Sequence, residues 1–196
     1  METTIDRREA LRKTALIMGT AVSSSAIIVF LESCKNLPDL NYKPVFFNED
    51  QARMVGEIAE IILPKTDTPG AKDVGVSNFI DMLIHDCYKE EDQKKFLTGL
   101  DDLDKDAKKK YGDSFIYCSP ENQKEYIKTI HDDAVNVVKK DKNAPRPFIL
   151  KLKELTMLGY FVSEPGATQV LQYNQVPGAY HGCVPLSEAG NGRTWA

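Results

Sequence analysis

From about residue 48 to residue 171 apolar side chains recur at spacings of three and four, segment after segment, and nowhere alternate at two over a useful length. Each such segment can bury one stripe and must place it against another helix, so the pattern commits the chain to helix-on-helix packing. We therefore expect an all-α fold: an irregular bundle of about five to six helices, followed by an extended Pro/Gly-rich C-terminal tail. The first helix starts at Asn48, an N-cap with Gln51 placed to bond back, and carries Val55, Ile58, Ala59 and Ile62 on one face. The second repeats Phe79, Ile80, Leu83, Ile84 and Cys87, which places Cys87 on the inward stripe. The third runs from about Glu90 to Lys110 with Phe96, Leu97, Leu100, Leu103 and Ala107 as its apolar positions, and Gly112 closes it. Ser119 and Pro120 open the fourth, whose stripe is Tyr126, Ile127, Ile130, Ala134, Val137 and Val138. Phe148 to Val162 is the most apolar segment, with Leu158 and Phe161 among the residues that wrap more than one face, and is expected at the centre. A short helix around Pro165 to Leu171 follows.

The first two helices are separated by a polar loop. Pro64 cannot continue the first one, and Thr68-Pro69-Gly70 and Val74-Gly75 are turn signals. Thr66, Asp67 and Thr68 carry short oxygens that can bond nearby backbone N–H groups, which makes Asp67 the expected holder of a rigid, exposed recognition loop. At the other end, Val176-Pro177-Gly178-Ala179-Tyr180-His181-Gly182-Cys183 mixes aromatic and apolar residues with Pro and Gly and cannot be helical. Such a tail either folds across the bundle or lies on a partner, where tyrosines such as Tyr173 and Tyr180 offer contact area with a polar tip.

With 196 residues and 42% hydrophobic content the chain has material for one ordinary core. The net charge of −4, with both signs interspersed, leaves no basic field for nucleic acid. The N-terminus is different in kind. Arg7 and Arg8 stand just ahead of the uncharged segment Thr14 to Leu31, the pattern of a twin-arginine export signal. Leu31-Glu32-Ser33-Cys34 resembles a lipobox, which would make Cys34 an acylated N-terminus; simple cleavage and an uncleaved anchor are the alternatives. The expected organisation is a signal over 1–34, a tether over 35–45 and a helical domain over 46–196, delivered to the periplasmic side of the membrane and held there by leader or lipid.

Residues that could carry chemistry are sparse. His85, His131 and His181 have no helical pairing that would present two metal ligands on one face, and no haem-attachment, iron–sulfur, dinucleotide or Walker pattern is present. Asp67, Asp73 and Asp81 lack the spacing of a calcium loop. We thus expect no catalytic residue, cofactor or metal in this chain. If Cys34 carries lipid, Cys87, Cys118 and Cys183 remain; Cys87 as a buried hydrophobe and Cys118 at a helix entrance can be satisfied internally, whereas Cys183 either cross-links to a partner or pairs with Cys118.

Two blocks resemble the gluconate 2-dehydrogenase subunit 3 family, the small non-catalytic subunits of membrane-bound flavin dehydrogenases. One is Leu63-Pro64-Lys65-Thr66-Asp67-Thr68-Pro69-Gly70-Ala71 with Asn78-Phe79-Ile80-Asp81. The other is Leu158-Gly159-Tyr160-Phe161 followed by Glu164, Gly166, Ala167, Tyr173, Pro177-Gly178, Tyr180 and Gly182-Cys183. The resemblance spans roughly Phe46 to Pro185. It implies a partner of the glucose–methanol–choline type that oxidises a sugar, sugar acid or alcohol, with FAD on that partner and haem c on an optional cytochrome subunit. The expected interface is Thr66, Asp67, Thr68, Pro69 and Gly70 with Tyr173, Pro177, Gly178, Tyr180 and Cys183. A stand-alone lipoprotein binding module, and an enzyme using the Asp67 loop and His181, are the alternatives.

Overall fold

The computed structural model describes residues 39–176, 178–179, 182–188 and 192–194. The expected export signal, with Arg7, Arg8 and Cys34, and Pro177, Tyr180 and His181 lie outside the described residues. Five α-helices are present among them: α1 Glu49–Ile62, α2 Val76–Cys87, α3 Glu90–Tyr111, α4 Pro120–Lys140 and α5 Phe148–Val162. A 3-10 turn, Phe115–Tyr117, joins α3 to α4, and one π-helical turn, Gly166–Val170, follows α5. No strand occurs among the described residues, so the expected all-α class is what the chain adopts.

The local signals explain where the helices begin and end. Asn48 accepts from the Gln51 N–H at 2.8 Å while Gln51 Oε1 accepts from the Asn48 N–H at 3.2 Å, a reciprocal capping box. Ser119 caps α4 through Asn122 N–H with Pro120 in the first turn. Gly112, at φ 85°, takes the left-handed position that ends α3, a helix whose acidic first turn (Glu90, Glu91, Asp92) and basic last turn (Lys108, Lys109, Lys110) complement its dipole. Gln93 ends α2 from outside: its amide donates to the carbonyls of Ile84, His85 and Tyr88, groups a helix terminus leaves unpaired.

Helices α1 and α5 share the centre. Each packs on the other, α1 also on α2, α4 and the 3-10 turn, and α5 on α2, α4 and the π turn. Val55, Ile58, Ile80, Ile84, Leu100, Phe115 and Leu152 have no exposed surface. Burying side chains of this size contributes roughly 1.5–3 kcal/mol each. Three inward assignments fail. Cys87 is exposed, because it is the last residue of α2 and, with His85 and Asp86, lies past the turn that its neighbours cover. Leu158 is 47% exposed, along with Met157 and Val162, so the end of α5 keeps an apolar face toward solvent rather than wrapping fully into the core. Val137 likewise leaves the stripe of α4 and is 47% exposed.

Candidate functional site

The loop after α1 is held by carboxylates from outside its Thr-Asp-Thr turn. Glu60, in the last turn of α1, accepts from the Lys65 N–H through Oε1 at 3.0 Å and from the Lys72 N–H through Oε2 at 2.9 Å. Asp73 accepts from the Gly70 N–H at 3.1 Å and lies 3.0 Å from the Lys65 ammonium. The hydrogen bond from Lys65, then that from Gly70, holds the Asp73 carboxyl below its usual range. Ala71 N–H donates to Leu63 O at 2.9 Å and closes the loop across its base.

Thr66 N–H donates to Thr68 O at 3.1 Å, but Asp67 is exposed and makes no hydrogen bond to a described residue. The turn-holding role expected of Asp67 therefore falls to Glu60 and Asp73. Thr66 and Asp67 are left at the exposed tip of a fixed loop, with Pro69 half-buried and Gly70 buried beneath.

A second carboxylate anchors the chain entering the domain. Asp81 has no exposed surface, and its two oxygens accept the backbone N–H groups of Val45 (2.7 Å), Phe46 (3.1 Å) and Phe47 (2.7 Å). One turn earlier on α2, Ser77 Oγ donates to Ala52 O at 2.7 Å and meets the Tyr42 hydroxyl at 2.8 Å. Burial pushes the Tyr42 phenol up, so it stays a neutral donor. Residues 42–47 are thus fastened to the face of α2 before α1 begins.

The two sequence blocks meet here. Tyr160 donates its hydroxyl to Pro69 O at 2.7 Å, bridging α5 to the loop. Gly159 lies under the Phe79 ring, so close that a Cβ there would stand 2.6 Å from Cδ1. Past α5, Ser163 Oγ donates to Tyr160 O at 2.6 Å and accepts from Gly166 N–H at 3.1 Å. A Cβ on Gly166 would fall 1.9 Å from that same Tyr160 carbonyl, an overlap with backbone that only glycine avoids.

Beyond the π turn, Tyr173 is 55% and Val176 79% exposed, and Gly178 adopts a positive φ of 70°. Near the chain end, Gln172 N–H donates to Thr194 O at 2.8 Å, and the Arg193 guanidinium donates to Thr168 O and Gln169 O. Cys183 is an exposed free thiol, so the Cys118–Cys183 pair is not formed; Cys118 is half-buried, its thiol directed at the carbonyls of Asp113 and Ser114.

Among the described residues no three His, Cys, Asp or Glu side chains converge on a point where a metal ion could sit, and no helix is long and apolar enough to cross a membrane. His85 is exposed against Asp86, and His131 lies on α4, well apart in the chain from the loop. Tyr126 has its phenol pushed up to about 12, chiefly by burial; its hydroxyl donates to Leu103 O at 3.0 Å and ties α4 to α3. The strongly placed polar groups of this region fasten backbone to backbone.

The family model described as gluconate 2-dehydrogenase subunit 3 matches residues 49–178, well over half of the chain and both sequence blocks up to Gly178. The chain belongs to the gluconate 2-dehydrogenase subunit 3 family. No curated protein and no solved structure matches it. For this family member the geometry accounts for several residues of the two blocks. Pro69 and Tyr160, Phe79 and Gly159, and Tyr160, Ser163 and Gly166 form successive joints of one clamp. Reasoning from the sequence missed Glu60 altogether. Its one signal is a carboxylate in the last turn of α1, where the dipole disfavours it unless it has N–H partners.

Proposed function

We propose that this chain is the non-catalytic small subunit of an exported FAD-dependent dehydrogenase of the glucose–methanol–choline type, acting on a sugar, sugar acid or alcohol. In this reading it escorts, tethers and stabilises the catalytic flavoprotein. The observation that carries the proposal is the family match over residues 49–178. The structure supports it in kind: polar residues of the matched region are spent on holding one loop and one helix end. What they hold outward is the tip Thr66–Asp67 and the apolar surface of Leu158 and Val162. A fixed loop tip and a patch of exposed apolar side chains each suit contact with another folded chain. The tail, with Tyr173 and Val176 exposed, is the second contact in this reading, with the exposed Cys183 as its cross-link to the partner. FAD, and haem c where a cytochrome subunit joins, belong to those other chains.

The twin-arginine pattern at Arg7 and Arg8 gives the escort role, since that route carries folded cargo; Cys34 or the leader then retains the complex at the periplasmic face of the membrane. The test is cell fractionation of Arg7→Lys with Arg8→Lys. The flavoprotein is expected to remain in the cytoplasm with the variant; its continued export would remove the escort role.

A further inference from the structure

A groove of about 260 Å³ lies where the end of α1 meets α4 and α5. Its floor is four isoleucines, Ile61 and Ile62 from α1, Ile127 from α4 and Ile149 from α5. Ile127 and Ile149 are buried, while Ile61 and Ile62 remain partly open. Nothing in the groove lining is acidic, and its rim is cationic: Lys124, Lys128 and Lys153, with His131 between them.

The rim follows from the sequence. Lys124, Lys128 and His131 stand at i, i+4 and i+7 on α4, one stripe of the helix, with Ile127 beside them. Lys153 reaches across from α5, and its ammonium lies 3.1 Å from His131 Nε2. That contact requires a neutral imidazole accepting at Nε2, and Nδ1 is then free to donate toward Asp132, 3.3 Å away. None of the three lysines has a carboxylate within 4.0 Å among the described residues, although Lys65, Lys72, Lys95, Lys105 and Lys110 each do. Three lysines line one apolar slot in a chain whose net charge is −4.

The larger cavity under Tyr88 and Phe148, about 460 Å³, gives the contrast. Lys95 pairs there with Asp92 and Arg146 with Glu154, so of its lining charges only Lys151 is left without a carboxylate among the described residues, against three lysines in the isoleucine groove. In the isoleucine groove the unpaired cations repel each other, and an anion seated among them relieves that repulsion while a hydrocarbon chain covers the floor.

We infer that the groove between α1, α4 and α5 binds an anionic amphiphile, a linear hydrocarbon chain ending in a carboxylate or phosphate, with the chain on Ile61, Ile62, Ile127 and Ile149 and the head group on Lys124, Lys128 and Lys153. The inference is independent of the subunit reading, because it concerns this chain alone. The test is calorimetric titration of the full chain with decanoate, decyl maltoside and acetate below micellar concentrations. Decanoate is expected to bind saturably at one per chain, at least about tenfold more tightly than the uncharged decyl maltoside, and more weakly as salt is raised. Acetate, which lacks the chain, is expected not to saturate.

Lys124→Glu with Lys128→Glu should weaken decanoate by at least about tenfold with an unchanged unfolding midpoint, and Lys108→Glu on α3 should leave binding intact. If the double variant fails to fold, the salt series and the uncharged ligand still decide. Flotation with phosphatidylglycerol vesicles, competed by decanoate, identifies a bilayer lipid as the source; decanoate binding without flotation identifies a free amphiphile. Absence of saturable decanoate binding, equal affinity for decyl maltoside, or indifference to salt and to the lysine reversals overturns the inference.

Discussion

Replacing Asp81 by alanine should unfasten the entry to the domain. The wild-type carboxylate accepts three backbone N–H groups, and the variant leaves all three without an acceptor. The three losses are unequal. Phe47 is buried, so its N–H cannot turn to water, and a hydrogen bond to a charged group in that setting is worth about 1.5–3 kcal/mol. Val45 is 62% exposed and Phe46 half-buried, so their N–H groups recover solvent and forfeit nearer 1 kcal/mol each. Relief from burying a carboxylate offsets part of this. The net expectation is a loss of about 3–4 kcal/mol, a large share of the roughly 5–15 kcal/mol that holds a domain folded. Urea unfolding of the full chain followed by circular dichroism measures it as a lower midpoint. Asp81→Asn keeps one acceptor oxygen but turns an amide donor toward a backbone donor, and should fall between wild type and alanine. Met82→Ala, at the neighbouring exposed position, should change little. If Asp81→Ala shifts stability by less than about 1 kcal/mol, the carboxylate does not anchor residues 45–47 in the way described.

Gly166→Ala drives a methyl group into the Tyr160 carbonyl and should cost roughly 3 kcal/mol, the upper range for overpacking, whereas Ala167→Gly nearby should be mild; thermal unfolding distinguishes them, and an unperturbed Gly166→Ala would refute the close approach. Asp73 should titrate by carbon-detected NMR below its ordinary value of 3.8, and Lys65→Met should raise it, because the Lys65 hydrogen bond is the main cause of the depression. The sign follows: a depressed carboxyl contributes ordering of the loop that is present above 3.8 and lost as pH falls through the lower, folded value, so amide protection of Gly70 should fade only in that acid window. An Asp73 titration unmoved by Lys65→Met would refute the pairing.

What the sequence made legible was local. Asn48 with Gln51, Ser119 with Pro120, and Gly112 act within a few residues of themselves, so the same chemistry that marks them in the sequence fixes them in the structure. Periodicity located five helices, but it carries no information about where a neighbouring helix stops. That is why Cys87 and Leu158 fit an inward stripe and still face solvent. The clamp was not legible for a related reason. Asp81 acts on residues about 35 positions earlier and Tyr160 on Pro69, 91 positions away, and no spacing rule links them. Asp67 drew attention through its own turn chemistry, while Glu60 and Asp73, which lie outside that turn, accept the backbone hydrogen bonds that order the loop.

The most direct test of the account is affinity isolation of the full chain from the membranes of its native cells, followed by an absorption spectrum and mass identification of whatever comes with it. The account predicts a flavoprotein in near-equal amount, a flavin spectrum that travels with the larger chain, and no chromophore on this chain once the two are separated. Isolation of this chain alone, or a flavin, haem or stoichiometric metal that stays bound to it after separation, would contradict the subunit reading.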